Sequence, residues 1–171
     1  MTFKIVKTCK GYMALSWNEA GSLDGVLLPF SNLSSLRSKI EELWPDKKEL
    51  QFLPQTLQGL DEACQQYFEG KLTDFTHVPI ETGHLTEFQK QVYLALRKVS
   101  FGQTLSYKDL AVKVGRAGAS RAVGSCMSRN KIPLVVPCHR VIAASGRIGH
   151  FSAEGGAEMK KWMLDLEGRA S

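Results

Sequence analysis

An α/β N-terminal part joined to a mainly α C-terminal part is the fold class this sequence predicts, and three observations predict it. The first thirty residues alternate loosely between apolar and polar positions, with Gly11, Gly21 and the Asp24-Gly25 pair as punctuation. From Leu33 onward apolar residues recur instead at steps of three and four, the helical spacing. Between residues 73 and 83 that spacing fades around Pro79 and Gly83. A linker is expected there, with one subdomain over residues 1–83 and another over 84–171. At 171 residues and 43% hydrophobic composition the chain has material for one compact domain or two small ones, which excludes disorder, collagen and coiled coil.

The elements follow in order. Phe3-Lys4-Ile5-Val6 and Tyr12-Met13-Ala14-Leu15-Ser16-Trp17 read as strands of a small antiparallel sheet. Leu33, Leu36, Ile40 and Leu43 mark an amphipathic helix that stops before Pro45, and Leu57, Leu60, Cys64 and Tyr67 mark a second that stops at Gly70. The second half opens on a capping box, Thr86-x-x-Gln89, and the helix behind it carries Phe88, Val92, Leu96 and Val99 and ends before Gly102. Ser106-x-x-Asp109 starts a short helix that stops at Gly115. Then comes a small-residue stretch, Ala117 to Ser125, with one long cation, Arg121, making a helix-turn-helix candidate. Ile132 to Pro137 reads as a buried extended segment delivering Cys138-His139-Arg140. A glycine-rich loop, Ser145 to Gly156, leads to a last helix with the stripe Met159, Trp162, Met163 and Leu166 and with Glu167 near its end.

Charge is placed unevenly. Residues 1–100 carry 11 Lys+Arg against 12 Asp+Glu, whereas residues 101–171 carry 11 against 5. Between Arg97 and Arg147 stand ten basic residues and one acid, Asp109, a density suited either to phosphate-bearing partners or to a solvated basic face. No apolar run approaches the length of a membrane span and no signal segment opens the chain, so an unexported protein without a membrane partner is expected. Cys9, Cys64, Cys126 and Cys138 lack the density of a disulfide framework, which leaves thiols available for chemistry. No CxxC, HExxH, GxxxxGK[ST] or GxGxxG occurs, so neither a metal nor a nucleotide cofactor is expected.

The sharpest local feature is Pro137-Cys138-His139-Arg140. A thiol with an imidazole and a guanidinium beside it has surroundings that can lower its pKa and expose the nucleophilic thiolate. In an extended strand Cys138 and His139 would face opposite ways, so a turn or a bridging water is needed to connect them. A base of this kind also needs a group behind it, and Glu154, Glu158, Asp165 and Glu167 are all candidates. A buried, inert cysteine and a satisfied core histidine are the competing readings. Arg121 among Gly118, Ala119, Ala122, Gly124 and Ser125 fits either close helix packing or insertion into a nucleic-acid groove. Tyr107 at a helix start is either a packed aromatic or a donor to a heteroaromatic nitrogen.

Pro137-Cys138-His139-Arg140-Val141-Ile142, preceded by Leu105-Ser106-Tyr107, Ser120-Arg121-Ala122-Val123-Gly124 and Arg129-Asn130 and followed by Leu166-Glu167-Gly168, resembles the O6-alkylguanine-DNA alkyltransferases from Thr86 to Gly168. That resemblance implies an RNase H-like N-terminal subdomain and a helical C-terminal subdomain. It implies a DNA-repair activity: a monomer in the cytoplasm, or in the nucleus of a eukaryote, would bind duplex DNA containing O6-alkylguanine in the minor groove and flip the base out. Cys138 would accept the alkyl group once, His139 activating it through water and Glu167 orienting the imidazole. Tyr107 would push the nucleotide out and bond to N3. Asn130 would brace the helix-turn-helix, and Arg121 would fill the gap in the stack. Ser106, Ala122 and Arg129 would touch DNA, while Met127, Val141, Phe151, Ser152 and Ala153 would line the base pocket. Phe151-Ser152-Ala153 stands where some relatives have Tyr-Ser-Gly, and Ala153 would narrow the pocket against bulky adducts.

Two other functions compete. A sensor that binds alkylated DNA without reacting would not need Cys138. A cysteine hydrolase using Cys138 and His139 would leave the basic second half unexplained.

Overall fold

The computed structural model describes residues 2–149 and 151–169 and divides into two compact units. Unit 1 comprises residues 1–73 and 77–81, and unit 2 comprises residues 74–76 and 82–171.

Unit 1 is built on strands β1 (Thr2–Thr8), β2 (Gly11–Trp17), β3 (Leu23–Phe30) and β4 (Lys48–Glu49), in the order β3-β2-β1-β4. The first three are antiparallel, as the punctuation predicts. The sheet is nevertheless mixed, because the two-residue β4 joins β1 in parallel, too short a strand to leave a periodic signal. Gly11 has φ +133°, and a Cβ there would lie 2.1 Å from the Phe30 carbonyl oxygen, so only glycine fits that turn. Helix α1 (Leu33–Leu43) places Leu36 and Ile40 against Phe3 and Ala14 on one face of the sheet. Helix α2 (Leu60–Phe68) covers the other face, where Lys4 Nζ reaches Asp61 at 2.6 Å. Cover on both faces explains why Met13 to Trp17 are all buried instead of alternating. Leu57 belongs to a separate 3₁₀ turn, Gln55–Leu57, which shortens the expected second helix. The aperiodic stretch 73–83 is anchored rather than loose: Ile80 bridges Leu23, and Glu81 N donates to the Leu23 carbonyl at 2.8 Å.

Unit 2 contains α3 (Glu87–Arg97), β5 (Leu105–Ser106), α4 (Tyr107–Lys113), α5 (Ser120–Ser128), β6 (Val141–Ile142) and α6 (Gly156–Arg169). Both capping boxes read from sequence form, at Thr86/Gln89 and at Ser106/Asp109. Helices α3, α4 and α5 pack on one another. β5 and β6 pair in parallel, Leu105 opposite Val141 and Ser106 opposite Ile142.

The segment before Cys138 departs from expectation. It is buried but not extended: Val136 N donates to the Ile132 carbonyl at 3.0 Å, and Leu134 sits at φ +75°. Asn130 holds this fold, accepting from Ile132 N at 3.1 Å and donating through Nδ2 to the Val136 carbonyl at 2.8 Å. Two side-chain bonds to the backbone substitute for the sheet partner that an extended strand would need.

Candidate active site

Cys138, His139 and Arg140 form a 3₁₀ turn, which removes the obstacle that an extended chain would have posed. The turn is held from two sides. Asn130 Nδ2 donates to Cys138 Sγ at 3.1 Å from the end of α5, and His139 Nε2 lies 2.7 Å from Glu167 Oε1 on α6. Arg140 completes the clamp on that carboxylate, with Nε 3.0 Å from Oε2 and Nη2 3.0 Å from Oε1, while its Nη1 donates to the Val99 carbonyl at 2.5 Å. Gly102 N adds a further donor to Glu167 at 3.0 Å. Of the four downstream carboxylates left open by the sequence, the geometry selects Glu167.

The parallel pairing of β5 with β6 sets the α4 N-terminus beside this turn, since Val141 follows Arg140 and Ser106 caps the helix that Tyr107 begins. A Cβ on Gly149 would come 3.0 Å from the Tyr107 hydroxyl, and one on Gly124 would come 4.0 Å from its ring. Tyr107 therefore lies between α5 and the glycine-rich loop. Its hydroxyl feels Cys138: burial raises its pKa and a Cys138 charge raises it further.

Burial dominates the titration of the site. Cys138 is 4% exposed, and desolvation pushes its thiol up, although Asn130, Lys160 and the backbone N–H groups pull the other way. The thiolate suggested by the sequence is thus a thiol at rest, because the turn that gives Cys138 its donors also removes it from water. Burial also lowers His139, which stays neutral. For Glu167 burial works against the charge, but His139 and Arg140 outweigh it and hold the carboxyl at about 2. A neutral imidazole facing a fixed carboxylate can accept a proton, and the thiol can supply one.

The remaining candidates are spread over unit 2. Arg121 and Ala122 are exposed on the first turn of α5, and Arg129 is exposed at its end, while Met127 is buried within it. Phe151 is buried and Ser152 exposed in the loop ahead of α6, with Ala153 between these extremes. A cavity of about 360 Å³ lined by Lys98, Val99, Gln103, Thr104, Leu105 and Lys113 includes neither the thiol nor Tyr107. Among the described residues no group of three or more His, Cys, Asp or Glu is placed to hold a metal.

Sequence reasoning missed two charges. Arg140 was noted as a neighbour of the thiol, but not as the clamp on Glu167. Lys160 was missed altogether: it is 1% exposed, and its Nζ donates to the Val141 carbonyl at 2.6 Å. Lys160, Met163 and Glu167 stand at i, i+3 and i+7, so the helical spacing that buries Glu167 also buries Lys160.

A family model described as the DNA-binding domain of 6-O-methylguanine DNA methyltransferase matches residues 87–169. A methylated-DNA–protein-cysteine methyltransferase of Methanosarcina acetivorans is 34% identical over 170 residues, covering 98% of this chain and 99% of that relative. The chain belongs to this methyltransferase family. The relative of the same name from Shigella flexneri is 42% identical over 110 residues, 64% of this chain and 63% of its own length. A crystal structure of Mycobacterium tuberculosis OGT in complex with DNA superposes with a TM-score of 0.78 at 29% identity, covering 100% of this chain and 95% of that one. The likeness to that structure extends over the whole of this chain, N-terminal α/β part and helical part alike.

Proposed function

We propose that this protein repairs alkylated duplex DNA by a single, irreversible transfer of the alkyl group from O6 of guanine to Cys138. The observation that carries the reading is the Cys138 sulfur held at 3.1 Å by Asn130 within the turn that also carries the His139–Glu167 pair. The names of the relatives and the DNA-bound neighbour support the same substrate.

The residues divide the work as follows. The thiol proton passes through a water to the neutral imidazole, and the Glu167 carboxylate stabilises the imidazolium. The thiolate then attacks the O-alkyl carbon: a C–S bond forms, the C–O6 bond breaks, and the electron pair leaves on guanine. Tyr107 donates to N3 and the backbone N–H of Ser152 to O6, neutralising that charge. The displaced guanine takes up the proton released by the thiol. The S-alkylcysteine is a thioether with no hydrolytic way back, so each molecule reacts once.

Delivery of the base falls to α4 and α5 acting as a helix-turn-helix in the minor groove. Exposed Arg121 fills the gap left by the flipped guanine, and Ser106, Ala122 and Arg129 contact the strand. Met127, Phe151 and Ala153 wall the pocket, and the carbonyls of Cys138 and Val141 read the exocyclic amine. We read unit 1 as RNase H-like. The protein works as a monomer wherever the cell keeps its DNA, cytoplasm or nucleus.

The test is intact mass after incubation with a duplex carrying O6-methylguanine. A gain of one methyl group, mapped to Cys138 and absent from Cys138→Ala, is expected. Binding without transfer would replace this reading with that of a damage sensor.

A further inference from the structure

The mechanism above leaves one buried charge unused. Lys160 is 1% exposed, and no carboxylate oxygen lies within 4.0 Å of its Nζ among the described residues. Its hydrogen bond goes to a neutral acceptor, the Val141 carbonyl at 2.6 Å. An ammonium so placed gives up hydration without gaining a counter-ion, and long polar side chains are seldom buried that way unless something compensates.

The surroundings identify the compensation. Val141 follows directly on the turn that carries Cys138, and α6 packs on that turn. Among the described residues, the charged and titratable groups around this corner are Tyr93 from α3, Tyr107 from α4, Cys126 from α5, Cys138, His139 and Arg140 from the turn, and Glu167 from α6 itself. The negative charge of Glu167 is engaged by His139 and Arg140. Both tyrosines and His139 are neutral at neutral pH, since burial raises the former and lowers the latter. Among the described residues, Cys138 is the group in this corner whose negative charge couples to Lys160; Cys126 couples to Tyr93 instead.

We propose that Lys160 is the counter-charge of the Cys138 thiolate: the ammonium, anchored on the Val141 carbonyl, stabilises the sulfur anion formed during transfer. The inference rests on Cys138 being the acceptor. It makes Lys160 an electrostatic partner of the reaction and not a packing residue. The coupling runs both ways: burial lowers the Lys160 pKa and a Cys138 charge raises it, while Lys160 lowers that of Cys138. The division of labour is clear: His139 takes the proton away, and Lys160 makes the charge left behind tolerable.

The experiment uses the full chain without DNA. Carbamidomethylation by iodoacetamide, in which the thiolate displaces iodide from carbon, is followed against pH and mapped to Cys138 by peptide mass. Lys160→Met keeps the length and removes the charge. It is expected to raise the pH midpoint by about one to two units, which slows reaction at neutral pH by at least about tenfold. Lys160→Arg keeps the charge and is expected to stay near wild type. An unchanged midpoint in folded Lys160→Met, or an equal shift in both variants, overturns the proposal. A second measurement leaves Lys160 intact. The titration of its ε-carbon, followed by NMR, should move to lower pH in Cys138→Ser than in wild type, and identical titrations would also overturn it. Because no DNA is present, failure of methyl transfer from an oligonucleotide would count against the repair reading alone.

Discussion

Unit 1 buries Cys64 and unit 2 buries Cys126 and Cys138, and the contrast between Cys64 and Cys138 shows how the surroundings of a buried thiol can oppose or favour its anion. Cys64 in α2 is 0% exposed and Cys138 is 4% exposed, so burial does not distinguish them. Burial pushes both thiols up. At Cys64 the nearby charge is Asp61, which raises the thiol further, whereas at Cys138 every other influence lowers it: Asn130, Lys160 and two backbone N–H groups. The ion pairs of unit 1 keep some contact with water, Lys4–Asp61 at 21% and 25% side-chain exposure and Lys47–Asp24 at 10% and 15%. Unit 2 instead encloses His139, Arg140, Lys160 and Glu167. Buried charge costs stability, and unit 2 carries that cost around Cys138, where the proposed transfer would form an anion.

The largest effect expected from this contrast is all-or-none. Cys138→Ser should abolish methyl transfer, while Cys64→Ser should leave its rate within about twofold of wild type. Cys64→Ser still puts a hydroxyl into an apolar site, at a cost of about 1–3 kcal/mol read from urea unfolding. Loss of transfer in folded Cys64→Ser would mean that the two thiols are not separable.

A smaller effect separates delivery of the base from chemistry on it. Arg121 is exposed on α5 whereas the groups around Cys138 are buried, and the finger role proposed for it assigns it to base delivery and not to the transfer step. Extruding a base costs a few kcal/mol, so Arg121→Ala should slow reaction with duplex substrate by about a hundredfold. Reaction with free O6-benzylguanine should change by less than about twofold. Equal losses on both substrates would place Arg121 in the transfer step.

Most of this arrangement was legible before folding, and the exceptions share a cause. Helix boundaries were readable because Thr86, Ser106, Pro45 and Gly70 act on the backbone within a few residues of themselves. The motif around Cys138 was readable because it is contiguous. The Glu167 clamp was not, since Arg140 and Gly102 meet the carboxylate, and Val99 holds Arg140, only when the segment after α3 and the turn at Cys138 are brought to α6. The segment 132–137 was misread as extended because its apolar run suits a buried strand, and only the side chain of Asn130 turns it. The parallel β4 was missed because two residues carry no period. Local signals predict local structure; the polar interior depends on contacts remote in sequence.

The smallest effect concerns acid, and its sign follows from His139. A histidine whose folded pKa is lowered contributes stability that is fully present above its unfolded value of 6.5 and is lost as pH falls below it, because only the unfolded chain takes the proton readily. At pH 5.5 that loss amounts to at most about 1.4 kcal/mol. Glu167, lowered to about 2 from the ordinary 4.5, has the same sign, but its loss begins only below about pH 4.5. Urea unfolding of wild type should therefore show stability falling between pH 7.5 and 5.5. His139→Gln should flatten that interval while keeping the steeper loss below pH 4.5. A wild-type curve that rose toward pH 5.5 would mean that the folded imidazole gains its proton more readily than the unfolded one, which would make His139 a cation at rest and leave Cys138 without a base.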